Sequence, residues 1–189
     1  RPCAAPARCR FARRRGGSVS GNRSTSLAGG GVCATGAVIA GLDVLDNRSD
    51  NGAGGIDGAD LTLSDLVIRG NRAALSGGGV FVSGAASFTD VVLDGNQADI
   101  EGGGIYLPFD RSELTLTRCA VSANHADFFA AIAGGVWLDG GRLISVDTSW
   151  GGAGTDNRPA DVGLSRSHQT FGRQGVASFV CDDATGACQ

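Results

Sequence analysis

Three aromatic residues occupy the same place in successive copies of one short pattern. They are Phe81 in Gly79-Val80-Phe81-Val82, Tyr106 in Gly104-Ile105-Tyr106-Leu107, and Trp137 in Gly135-Val136-Trp137-Leu138. Stacked, they form an external stripe that also runs through Cys33 and Asp57, and rings of this kind pack on the apolar faces of sugars. The plainer reading is a covered stripe, lying under Phe171 or Phe179 or a partner protein, because bare aromatic patches are normally covered or used. A second column, Arg23, Arg48, Arg72, Gln97 and His125, follows a series of asparagines. Its guanidinium forks can hold the carboxylates or sulfates of an acidic polysaccharide. Alternatively they pair with acidic neighbours such as Asp50, Asp99 and Asp127, which contributes little to stability.

Other reactive groups are weaker candidates. Asp46 to Asp60 is rich in oxygen ligands for calcium, but it fits no EF-hand loop and reads more simply as an Asx-rich turn. A polysaccharide lyase needs a base, and with no lysine in the chain that base is Arg111 or Arg142, near Asp110, Glu113 and Asp139. A hydrolase needs two carboxylates at a set separation, whereas Asp182 and Asp183 are adjacent and read as part of a turn. His125 and His168 have no evident Ser or Cys partner. No catalytic residue, metal ligand or cofactor is assigned.

The groups that position these columns repeat along the chain. Asn22, Asn47, Asn71, Asn96 and Asn124 step by 25, 24, 25 and 28 residues. Each is followed by a glycine-rich run and an aliphatic residue: Val32, Ile56, Val80, Ile105 and Val136. Such a period means a solenoid whose units bury their apolar faces only by stacking. Alternating aliphatics give three short strands in each coil of about 24 residues, with no helical period or caps. The second strand carries Val38-Ile39, Leu61/Leu63, Phe88, Leu114/Leu116 and Leu143. The fold class is therefore all-β, a right-handed parallel β-helix of about five coils with a C-terminal cap, the handedness following the parallel-crossover bias. The asparagines sit where a strand turns, tolerating left-handed backbone and forming an amide ladder. The chain divides into a basic N-terminal tail over 1–19, repeats over 20–150 and a capping segment over 151–189.

The motifs Val44-x-x-Asn47, Ile68-x-x-Asn71, Leu93-x-x-Asn96 and Val121-x-x-Asn124, each paired with a glycine run, resemble the repeats of polymorphic outer membrane proteins. The resemblance covers about 20–150, with aliphatic residues in place of that family's Phe. It implies a surface-exposed β-helix and an adhesin role.

Composition sets the compartment and the partners. The chain has 189 residues, 42% of them hydrophobic and 32 of them glycine, too apolar for disorder and without a collagen period. Residues 1–23 hold seven arginines and no acid, which reads as a solvated tail, and nucleic acid is not expected as a partner. No apolar run is long enough to span a membrane, and no signal peptide is evident. Absence of methionine suggests a processed or excised segment. Cys181 and Cys188 bracket a turn and Cys3 and Cys9 can pair likewise, which favours an oxidising, extracellular or outer-membrane surface location. The expected function is a structural or adhesin-like surface protein that meets extracellular polysaccharide or a surface protein. The competing reading is a polysaccharide-active lyase or hydrolase.

Overall fold

The computed structural model describes residues 16–25, 29–127, 133–152, 154–172 and 175–189, and every regular element among them is a strand. The strands stack as a parallel β-helix. Sheet C holds Val32–Thr35, Ile56–Ala59, Val80–Val82, Ile105–Leu107, Val136–Leu138 and Val162–Leu164 in parallel register. Sheet A has two arms, one through Leu61–Ser64, Ala85–Thr89 and Glu113–Thr117, the other through Leu42–Leu45, Val67–Arg69 and Val92–Asp94. The arms meet in the long strand Arg142–Ser149, which pairs with both. Sheet B is built from two-residue strands, such as Arg48–Ser49 and Arg72–Ala73, placed directly after each ladder asparagine.

Each coil thus has a fourth strand beyond the three that alternation reveals. Two residues are too few to show a period. Their logic appears only when stacked, with Ser49, Ala73, Ala98 and Ala126 buried while Arg48, Arg72, Gln97 and His125 face outward. The same register corrects Val38. It pairs with Thr62 on the outer face and is 62% exposed, while Ala37 and Ile39 turn inward.

The coil count is six rather than five. Asn157 extends the amide ladder, Arg158 bridges to His125, and Val162 and Leu164 continue the inward columns of Val136 and Leu138. Trp150 lies deep inside this coil, fully buried, its indole N–H donating to Ser145 Oγ at 3.1 Å and its ring against Phe179 at 5.3 Å. Antiparallel strands then close the end, Gln169–Phe171 on sheet C and Val176–Asp182 on Arg142–Ser149. The Cys181–Cys188 disulfide ties the last hairpin. Cys33 is also disulfide-bonded and Cys119 is a buried free thiol. Cys3 and Cys9 lie outside the described residues.

Inside, one apolar column per inward position fills the solenoid. Ile56, Val80, Ile105, Val136 and Val162 are fully buried, as are Ile68, Leu93 and Val121 on sheet A. Each such side chain contributes roughly 1.5–3 kcal/mol relative to exposure.

Polar order at the corner is as strict. Asn71 donates from Nδ2 and from its backbone N to Asn96 Oδ1, both at 3.0 Å, and its Nδ2 also reaches the Val44 carbonyl at 2.9 Å. Asn47, Asn96 and Asn124 repeat the arrangement. Left-handed backbone falls not on the asparagine but on the residue before it: Gly21, Asp46, Gly70, Gly95 and Ala123 all have positive φ. The glycine pair packs on the next coil. A Cβ on Gly79 would lie 2.6 Å from the Gly104 carbonyl oxygen and 3.2 Å from Asn96 Cγ, a space only hydrogen can occupy.

Four outcomes follow for urea unfolding. Asn96→Ala leaves the Asn71 backbone N–H buried without its acceptor, removes one acceptor of Asn71 Nδ2 and the amide donor to the Ile68 carbonyl, and lowers stability by about 2–4 kcal/mol. Asn22→Ala, at the exposed end of the ladder, costs under about 1 kcal/mol. Gly79→Ala costs about 2–3 kcal/mol through overpacking. Gly95→Ala meets nothing within 4 Å and costs about 1 kcal/mol of left-handed strain, as Ala123 already tolerates one coil on. Equal losses for the two glycine variants would contradict the close-approach account.

Candidate functional site

The outer face of sheet C aligns Cys33, Asp57, Phe81, Tyr106, Trp137 and Gly163 in register. Period-two alternation turns these side chains out while Val80, Ile105 and Val136 turn in. Phe81 and Tyr106 are half-buried, with ring centroids 5.5 Å apart and planes inclined at 60°. Trp137 differs, being only 3% exposed. Its indole lies over Gly163 of the following coil, against the place a Cβ would fill. Its Nε1 is buried without a hydrogen-bond partner among the described residues. Neither expected cover sits on the stripe, since Phe171 packs against the core and Phe179 against Trp150.

Carboxylates surround the two accessible rings. The Tyr106 hydroxyl donates to Asp139 Oδ2 at 3.3 Å, and burial with the nearby Asp139 and Glu101 charges holds its proton well above the usual phenol range. Burial, then Asp139, raises the Glu101 carboxyl. Asp57, below Phe81, is pushed up to about 6 by burial. Asp139 therefore belongs to the aromatic face. Glu101 left no motif in the sequence; it is placed by the left-handed turn at Gly102, which folds back against Tyr106.

The arginine column is neutralised across coils. Arg23 and Arg48 meet Asp50 at 3.0 and 3.6 Å, Arg72 meets Asp99 at 2.8 Å, and His125 meets Asp127 at 2.7 Å. Gln97 donates to Asp127 as well as accepting from Arg72. Its charges serve one another. In the Asp46 to Asp60 stretch the carboxylates diverge, with Asp50 on the arginines and Asp60 Oδ1 accepting from Ala85 N at 3.1 Å.

A third surface is a cleft of about 260 Å³ beside the Cys181–Cys188 hairpin. It brings together Asp110, Arg111, Glu113, Arg142 and Asp182. Arg142 approaches Glu113 at 3.9 Å, and Arg166 binds Asp110 from outside the lining. Beneath it the fully buried Asp183 accepts from Arg166 N at 2.9 Å, and burial raises its carboxyl against that hydrogen bond. Arginine and carboxylate converge here, whereas His168 lies elsewhere, on an exposed turn.

Asp57 supplies a pH test. Its folded carboxyl is raised above its ordinary 3.8, so ionisation costs stability; the cost is absent below that value and complete above about 6. The stability difference between Asp57→Asn and the parent should therefore shift in the variant's favour between about pH 4 and pH 7, by at most about 3 kcal/mol. A pH-independent difference in urea titrations would refute the assignment.

Residues 90–108 match the family model of the Chlamydia polymorphic membrane protein repeat, a span holding Leu93-x-x-Asn96 and Gly102-Gly103-Gly104-Ile105. No curated protein and no solved structure matches the chain. With its ladder, its glycine corner and that match in one place, the chain is a parallel β-helix repeat protein whose coils resemble polymorphic membrane protein repeats.

Proposed function

We propose that this is a surface-displayed, adhesin-like β-helix that holds an extracellular polysaccharide against the outer face of sheet C. The observation that carries this reading is the contrast between two columns. Arginines on sheet B are matched with acids on the same surface, whereas Phe81 and Tyr106 stay half-buried on consecutive coils, 5.5 Å apart. Inclined rings at that spacing offer apolar area to a sugar face and polar rims to its hydroxyls. Trp137 extends the column but lies flat against Gly163. Surface display is supported by the membrane-protein repeat at residues 90–108 and by the Cys181–Cys188 disulfide, which suits an oxidising compartment. Among the described residues no helix is long and apolar enough to cross a membrane. A surface protein as ligand is the companion possibility, and the panel below separates it.

A second reading has its own observation. Arg111 and Arg142 share the cleft with Asp110, Glu113 and Asp182, the convergence that polysaccharide cleavage requires.

One assay addresses both. The purified chain is mixed with a panel of insoluble and soluble polysaccharides, and supernatants are analysed for depletion and for released fragments. Retention without fragments is expected, reduced about tenfold by Tyr106→Ala or Phe81→Ala, which corresponds to about 1.4 kcal/mol of lost stacking. Fragments that disappear in Arg142→Ala would establish the cleft as catalytic instead. Retention unchanged in both aromatic variants would remove the stripe from the binding site.

A further inference from the structure

The cysteines account for one another in a way that locates the N-terminal arm. Cys33 is disulfide-bonded, Cys181 pairs with Cys188, and Cys119 is a buried free thiol. Cys3 and Cys9 are the two that remain, so the bond from Cys33 runs to one of them. We infer that residues 1–15 close the open edge of sheet C, held beneath the first coil by a disulfide from Cys33 to Cys3 or Cys9. On this account Cys3 and Cys9 do not pair with each other, and the basic arm is a cap rather than a solvated tail.

The edge is a defined place. Val32–Thr35 is the end strand of sheet C, paired with Ile56–Ala59 on one side, and among the described residues no strand lies on its other side. Val32 N donates to the Gly55 carbonyl. In a parallel ladder the backbone groups of Val32 and Ala34 then face the second coil, and those of Cys33 and Thr35 face the open side. An edge of this kind recruits another strand. Cys33 stands in the edge strand itself, exposed on the outer face. A disulfide brings two Cα atoms to about 4.4–6.8 Å, and a neighbouring strand lies about 4.8 Å away. The bond therefore sets arm backbone at strand distance from the edge. Cys9 stands seven positions before Gly16 and Cys3 thirteen, extended spans of up to roughly 23 and 43 Å, so either can reach.

Charge favours this edge over its neighbour. Residues 1–15 hold six arginines and no acid. The end of sheet B carries Arg23 stacked on Arg48, two cations sharing Asp50, which repel such a segment. The sheet C column instead runs from Cys33 to Asp57 and holds no arginine. The far end of the solenoid is closed in the same way. Gln169–Phe171 pairs with Val162–Leu164, the other end of the parallel stack in sheet C, and the Cys181–Cys188 disulfide ties the hairpin that closes sheet A.

Two measurements test the inference. Trypsin cuts after arginine, so non-reducing digestion and mass spectrometry resolve the bond. Residues 24–48, which carry Cys33, are expected joined to residues 1–8 or to 9–10. Residues 1–8 joined to 9–10 overturn the inference. Amide exchange read by NMR then distinguishes a strand on the edge from a segment tethered outside it. In the parent, the Cys33 and Thr35 amides should exchange within about tenfold of the Val32 amide. Whichever of Cys3→Ser and Cys9→Ser breaks the bond should speed them at least about tenfold and leave Val32 unchanged, while the other variant matches the parent. Free exchange of Cys33 and Thr35 in the parent, with the bond present, makes the arm a tether and overturns the inference. Acceleration of Val32 as large as that of Thr35 overturns it too, because the bond then supports the whole coil rather than its edge.

Discussion

The approach of a glycine pair to the asparagine of the next coil is the contact on which this solenoid depends. Parallel strands stack about 4.8 Å apart, and the corner between sheets B and C must keep that pitch although its backbone doubles back. A side chain on Gly55, Gly79 or Gly104 would collide with a carbonyl oxygen and with the amide of Asn71, Asn96 or Asn124. Removing it lets the asparagine turn its amide along the stack, where Oδ1 takes two donors and Nδ2 finds a backbone carbonyl. Asparagine and glycine are therefore one device separated by several residues. Once it locks the register, every other position is assigned to the inside or the outside.

Much of this was legible in the sequence because the device repeats. Period and alternation place Val80, Val82, Ile68 and Leu93 inward, and the asparagine spacing alone describes the ladder from Asn22 to Asn124. What escaped lies where the pattern is too short or substituted. Sheet B offers two residues per coil, beneath the length at which alternation shows. The sixth coil keeps Asn157 and Val162 but replaces the glycine pair with Ala160-Asp161, and its inward position opposite Val121 is filled by Trp150. Asp161 is buried and accepts from Asn157 Nδ2 at 2.6 Å, so a carboxylate ends a ladder that amides built. A Val162-Gly163-Leu164 triplet following Val136 by 26 residues was the available signal.

The outer face shows the same division. Alternation finds Asp57, Phe81, Tyr106 and Trp137 in one column, and the structure keeps them there. Burial of Trp137 was not legible, because it depends on a glycine in a coil that the pattern did not reveal. Gly163 leaves a flat floor, and the indole lies down on it. The pairing of the arginine column was legible in outline, since Asp50, Asp99 and Asp127 stand two residues beyond Arg48, Gln97 and His125. Glu101 was not, because a turn residue before a glycine run carries no period.

Stacking makes charge a collective property, and this explains why the two outer faces differ. A column of arginines repeated at the coil pitch would repel itself, so sheet B sets acids beside the column and bonds them across coils, Arg23 to Asp50 and Arg72 to Asp99. Sheet C has no such need along its length, since its column runs through Cys33, Asp57 and three rings. At Tyr106 the phenol donates to Asp139 at 3.3 Å, and burial, then the Asp139 charge, raises the Glu101 carboxyl. The fold thus pairs the sheet B column with acids beside it, while on sheet C Phe81 and Tyr106 lie 5.5 Å apart with Asp139 accepting from the phenol.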